Sequence, residues 1–248
     1  MNEIITLTRK DLKLLLLDKT SLIVTFALPL ILVALIGTIF ASTFPIQSGI
    51  TSYDYAFSKV MFWGLIGGAA SSVGSIAVEK YSGTIVRLQL SPINKFQLLS
   101  GKVLACITML MVSALMSWLF ASLFFDIRTN SFLLLLLVFF SNAVLFSGLM
   151  TLLAHFAKTE RAAGALSWTV FQVLACFSGV MFPVAMMPSW MVTITDLNPL
   201  TWGVKAMEMA LWKEAPITEM ILPIAVPLLT GMLLFAISGF MFKWTSQK

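Results

Sequence analysis

Six long stretches of this chain contain no Asp, Glu, Lys or Arg: residues 21–40, 60–78, 103–125, 132–154, 163–181 and 221–242. A helix rises about 1.5 Å per residue, so roughly 20 apolar residues cross a ~30 Å hydrocarbon layer. One ionised side chain at a helix centre would cost about 2.5–3.5 kcal/mol on insertion scales, so runs free of charge fit lipid-embedded helices. Composition agrees. The chain is 59% hydrophobic and 11% charged, with a mean hydropathy of +0.96, whereas a soluble domain carries about 25% charged residues. A 248-residue chain of this kind cannot hide its apolar surface from water. The expectation is an all-α membrane protein with six transmembrane helices, built as one domain over 1–248.

Charge distribution sets the orientation. With both termini inside, Arg9, Lys10, Lys13 and Lys19 lie on the inner side with Lys80, Arg87, Lys95 and Lys102. Lys158, Arg161, Lys243 and Lys248 join them, leaving Lys59, Arg128, Lys205 and Lys213 outside. Inner loops carry the excess of Lys and Arg, so the termini and the segment 79–102 are expected in the cytoplasm, in a multi-pass cell-membrane protein. Residues 1–20 mix charge with leucine rather than presenting a signal peptide's apolar core, so no cleavable signal is expected. Ile4, Ile5, Leu12, Leu15 and Leu16 share a helical face, which predicts an amphipathic interfacial helix on the inner leaflet. Leu7, Leu14 and Leu17 fall off that face. The longest outer stretch, 182–220, is rich in Met and Trp and broken by Pro183, Pro188, Pro199 and Pro216. It reads as short interfacial or re-entrant helices, since Trp favours the headgroup level.

Several chemistries lack their residues. No GxxxxGK[ST] loop is present to cradle a phosphate, and no HExxH to hold zinc. Cys106 and Cys176 have no metal or disulfide spacing. The single histidine, His155, sits at a span edge before Lys158 and Arg161, where an interfacial role is the plain expectation. No catalytic residue, metal or cofactor is therefore expected in the chain, and no nucleic-acid partner. Ion-coupled carriers keep ionisable groups inside the membrane, which these runs lack. An ion-coupled secondary transporter is the alternative function, and an intramembrane enzyme a weaker one.

The polar residues inside the runs bound a route. Gly64, Gly67, Gly68 and Gly74 with Ser71, Ser72 and Ser75 crowd the second run. Small residues let backbones approach closely, and the serine hydroxyls are also candidates to line a translocation path. Asn142, Trp168 and Gln172 are further candidates. The two amides should face protein or a cavity, because an unsatisfied amide in hydrocarbon costs several kcal/mol. Pro29 removes a helix donor in the first run and predicts a kink.

The segment 79–102, EKYSGTIVRLQLSPINKFQLLSGK, is the charged exception between two runs. Gly83 permits a turn and Ser91-Pro92 marks a helix stop or restart. Between them a short helix would present Ile85 and Leu88 as an apolar bump edged by Arg87. Such a bump suits a groove on a partner, and packing against its own spans is the simpler role.

The order Glu79, Gly83-Thr84, Arg87-Leu88, Ser91-Pro92 and Gly101-Lys102 resembles the permease subunits of the type-2 ABC exporter family. Asn198-Pro199-Leu200 with Trp202 resembles that family's signature before its last span. The resemblance implies a cytoplasmic coupling helix between spans two and three that docks a separate ABC ATPase subunit. Glu79, Gly83, Thr84, Ile85, Arg87, Leu88 and Pro92 would form that contact, with Lys158 to Arg161 as a smaller one. It further implies a second permease copy or close paralogue, and ATP and magnesium on the partner ATPase. Cargo would move outward along the dimer interface near spans one, two and five. The apolar, aromatic outer region would suit an amphipathic drug, antibiotic or lipid-like cargo.

Overall fold

The computed structural model describes residues 2–40, 50–81, 93–157, 159–213 and 215–242. Among them every regular element is helical. Helix α1 covers Asn2–Leu17 and a break at Asp18 separates it from α2. The second helix, α2, runs from Lys19–Leu22 through a π-helical turn, Ile23–Ala27, into Leu28–Phe40. There follow α3 (Ser52–Tyr81), α4 (Lys95–Phe125), α5 (Phe132–Leu153) and α6 (Glu160–Cys176). Next come α7 (Ser189–Leu197) and α8 (Pro199–Leu211), and α9 (Ile217–Met241) closes the bundle.

Among the described residues three helices, α4, α5 and α9, are long and apolar enough to cross a membrane, and Thr25–Ile39 is a shorter apolar helix. The element boundaries follow from capping rather than from hydropathy alone. α5 starts where Ser131 caps the Leu134 N–H, at the boundary expected from the apolar run. α3 begins earlier than that run because Thr51 and Asp54 cap it reciprocally: the Thr51 N–H donates to Asp54 Oδ2 at 2.8 Å, and the Asp54 N–H to Thr51 Oγ1 at 3.2 Å. The buried Asp54 also accepts from the Arg128 N–H at 2.8 Å, and Lys59 pairs with Glu208 of α8, so both charges are satisfied inside the bundle. α4 likewise starts at Lys95, ahead of its apolar run, on an Asn94–Gln97 capping box. α6 ends at Cys176, short of the expected 181, because the chain turns through Gly179 at φ +85°.

Close helix approach is the main packing device. A Cβ on Gly148 of α5 would lie 2.1 Å from the Gly231 carbonyl oxygen of α9, and one on Gly231 would lie 2.4 Å from the Val144 oxygen. The small-residue stripe of α3 works in the same way. Gly64 faces Pro29, and Gly68 faces Thr25 and Leu110. Pro29 cannot donate to the Thr25 carbonyl four residues back. Ser113 of α4 donates to that oxygen at 2.7 Å, so the carbonyl beside the π-helical turn is satisfied from a neighbouring helix. Phe57, Phe62, Phe139, Phe146 and Phe171 fill the core between α3, α5 and α6.

One side of α1 packs on the protein, and part of its expected interfacial face stays exposed. Leu7, Asp11 and Leu15 are buried, whereas Ile5, Leu16 and Leu17 face away from the protein. The reason is local: Gly101 at the start of α4 leaves room for Leu7, whose Cβ lies 2.7 Å from where a Gly101 Cβ would stand.

Replacing Gly148 with Val drives two backbones apart and should destabilise the fold by about 1–3 kcal/mol. Gly164→Ala is the control, since nothing lies within 4 Å of its added Cβ. It should be neutral or stabilising by up to about 1 kcal/mol. Thermal unfolding of the detergent-solubilised variants measures both.

Candidate functional site

Four charged side chains from three helices meet where α1 crosses the end of α3 and the start of α4. Lys102 Nζ lies 2.8 Å from Glu79 Oε2 and 3.5 Å from Asp11 Oδ1. Lys10 Nζ lies 2.8 Å from Glu79 Oε1, a hydrogen bond, and 3.1 Å from Asp11 Oδ1. Two cations face two carboxylates, so the cluster is neutral at pH 7. Side-chain exposure is 3% for Lys102, 5% for Asp11 and 14% for Glu79, against 41% for Lys10, so three of the four charges lie inside the fold.

Each helix delivers its charge for a local reason. Asp11 sits one helical turn from Leu7 and another from Leu15, so the face that packs on α4 carries one carboxylate between two leucines. Lys102 follows Gly101, the seat for Leu7, and so enters the same contact. Glu79 is in the last turn of α3. The apolar neighbours of this junction are Leu98, Leu99 and Phe242 with Leu7. A buried ion pair gains little net stability, yet removing one partner strands the other and costs about 3–5 kcal/mol. The cluster therefore fixes which helices meet here.

Burial pushes the Glu79 carboxyl up, but the ammonium groups of Lys102 and Lys10 outweigh it and hold the group below its ordinary 4.5. Burial would lower Lys10, but Glu79 and Asp11 outweigh that and raise it above its ordinary 10.5. A carboxyl lowered by folding stabilises the fold above its unfolded value and loses that contribution as pH falls through its folded value. The lysine's contribution is full below 10.5 and is lost as pH rises through its folded value.

Glu79 and Lys102 are also the two gateposts of the segment between α3 and α4. Glu79 precedes residues 82–92 and Lys102 follows them, so their ion pair fastens the two ends of that segment together. Gly83, Thr84, Ile85, Arg87, Leu88 and Pro92 all lie in 82–92, outside the described residues.

The candidate path residues lie on α3, α5 and α6. Ser71, Ser72 and Ser75 are in α3, and their side chains fall outside the described part. Asn142 is fully buried; its Nδ2 donates to the Val138 carbonyl at 2.9 Å, and its Oδ1 stands 2.1 Å from where a Gly203 Cβ would be. It packs α5 against α8. Trp168 stacks edge-on with Phe171 at 6.2 Å and lies 6.3 Å from Trp63, within an aromatic group joining α3 to α6. Gln172 faces outward from the single chain.

The Asn198-Pro199-Leu200 motif has a structural job. Asn198 Oδ1 accepts from the Leu200 N–H at 3.0 Å and so caps α8. Its Nδ2 donates to the Leu174 and Phe177 carbonyls at 2.8 and 3.1 Å, which closes the end of α6. One amide thus serves two helix ends, with Pro199 at the first helical position, where no N–H is needed.

Reading the sequence alone placed Glu79 and Lys102 in one motif but did not pair them with each other or with Lys10 and Asp11. One signal was present: an aspartate within an apolar helical stripe requires a cation opposite it.

Lys102→Met should lower stability by about 3–5 kcal/mol, because it removes the buried cation and leaves both carboxylates with only the partly exposed Lys10. Lys10→Met should cost far less, since Lys102 still serves Glu79. The wild-type midpoint should fall steeply as pH drops below 4.5, and Glu79→Gln should flatten that acid limb. Thermal melts across pH 3–7 (roughly the range of carboxyl titration) measure both effects.

A family model described as ABC-2 type transporter matches residues 2–212, which include all four members of the cluster and the Asn198 motif. No curated protein matches the chain.

Proposed function

The chain belongs to the ABC-2 type transporter family, and we propose that it is the permease subunit of an ATP-driven exporter. Membership makes it a membrane-spanning transporter component of the ABC type. The finer proposal adds a separate ATPase subunit that carries ATP and magnesium, docked by residues 79–102. It adds six spans, formed by α2, α3, α4, α5, α6 and α9, in the cell membrane with both termini in the cytoplasm. Cargo is an amphipathic drug, antibiotic or lipid-like molecule moved outward.

The observation that carries the proposal is the ion cluster. A segment used to transmit force must be anchored at both ends, and here Glu79 and Lys102 join those ends to each other and to α1. A push on the segment would move α3 and α4 together. Ile85, Leu88 and Arg87 are then the contact surface, and Glu79 positions it from behind.

A second copy of the chain, or a close paralogue, is supported by Gln172. This amide is exposed on the outside of the single chain. Facing hydrocarbon it would cost several kcal/mol. A partner subunit or an aqueous route along α6 removes that cost.

The test is capture of an ATPase. The detergent-solubilised chain, co-expressed with a candidate soluble ATPase that contains GxxxxGK[ST], should retain it through purification. The double change Arg87→Glu and Leu88→Asp should reduce retention at least tenfold at unchanged membrane yield. If no ATPase is retained by the wild type, an ion-coupled carrier becomes the better account. Equal retention by the variant would leave the family standing and remove 79–102 as its docking element.

A further inference from the structure

At the opposite end of α3 from the ion cluster, a cavity of about 300 Å³ opens between α3, α8 and the turn that follows α6. Its charged lining is Lys59 of α3, Lys205 and Glu208 of α8, and Lys213. Lys59 is only 9% exposed and pairs with Glu208, so the single carboxylate on the wall is already neutralised. Lys205 and Lys213 remain as net positive charge. Lys205 Nζ does reach Asp196 Oδ1 at 3.4 Å, but that pair is 39% and 61% exposed, where an ion pair contributes little.

The rest of the wall is mainly apolar, with Tyr55, Ser178 and Thr201 adding hydroxyl groups. Val184, Val204 and Met209 contribute to it, with Pro183 beside them. Gly179 shapes this side: its φ of +85° turns the chain, and a Cβ there would stand 3.1 Å from Val184 Cγ2. Ligand sites are mostly apolar hollows of roughly 300–1,000 Å³ with a few placed polar groups. An ionisable pair held at the margin of a membrane bundle is costly and marks function more often than stability.

We propose that this cavity binds an amphipathic anion. Its phosphate or carboxylate head lies at Lys205 and Lys213, and its alkyl part lies against Val184, Val204 and Met209. The Lys59–Glu208 pair holds the wall in place and keeps Glu208 from repelling the head group. Assigning the site to departing cargo rests on the exporter proposal; the binding itself does not.

Native mass spectrometry of the full purified chain tests it without any ATPase. Dodecyl phosphate and laurate are the two acidic probes; dodecylamine and inorganic phosphate are the comparisons. The acidic amphiphiles should bind, and whichever binds more tightly identifies the head group. Dodecylamine and inorganic phosphate should each bind at least about tenfold more weakly, a difference of 1.4 kcal/mol. The double variant Lys205→Glu, Lys213→Glu should lose at least about tenfold in affinity for the acids. Lys205→Ala with Lys213→Ala should fall between, and guards against a folding defect in the first variant. Equal binding of dodecylamine overturns the charge assignment. Inorganic phosphate binding as tightly as dodecyl phosphate overturns the apolar half. Unchanged binding in both variants overturns the site. Failure here with ATPase capture intact would remove this cavity and leave the exporter proposal untouched.

Discussion

Glu79 sits between two ammonium groups, each 2.8 Å away, in a place where water does not reach freely. That arrangement constrains everything around it. Three of the four charges in the cluster are inside the fold, so none can be withdrawn without stranding another. The carboxylates come from α1 and α3, the cations from α1 and α4. Helices far apart in the chain are therefore held at one junction, and the segment between α3 and α4 begins and ends there. An apolar contact of equal area would hold the same helices more cheaply. What the ions add is register: each charge fits only opposite its partner.

The same logic recurs along α3. This helix carries Glu79 at its C-terminal end and Lys59 near its start, and each is paired with a charge from another helix. Between them its glycines admit α2 and α4 at close range, and Ser113 satisfies the carbonyl that Pro29 leaves without a donor. At the far end Asn198 ties α6 to α8. A displacement at the ion cluster thus has a closely packed element through which to reach the cavity near Lys59. The Ile23–Ala27 turn, where α2 departs from α-helical geometry, lies against this element.

Much of this was legible in the sequence, and the rest failed for definable reasons. The limits of α5 followed from hydropathy because no charge lies near them and Ser131 caps the start. α3 and α4 begin well before their apolar runs, since Asp54, Lys59 and Lys102 are satisfied by groups distant in sequence. A hydropathy window cannot see such partners. α6 is shorter than its run because Gly179 turns the chain and Asn198 closes the helix end. Which side of α1 packs on the bundle was not legible, because a glycine on α4, not the helix's own pattern, decides which leucine is buried. Glu79 was visible as a site residue through its motif. Lys102 was visible in the same motif, but its pairing with Glu79 was not, because pairing across α1, α3 and α4 is a tertiary fact.

The most direct test of this account is a double-mutant cycle between Glu79→Gln and Lys102→Met, read as unfolding free energy of the solubilised chain. Coupling through the cluster predicts that the double variant is destabilised by less than the sum of the single variants, by at least about 1 kcal/mol. Additivity to within about 0.5 kcal/mol would mean that the two groups act independently. The ends of the segment would then not be joined by this pair, and the anchoring on which the proposed coupling depends would be absent.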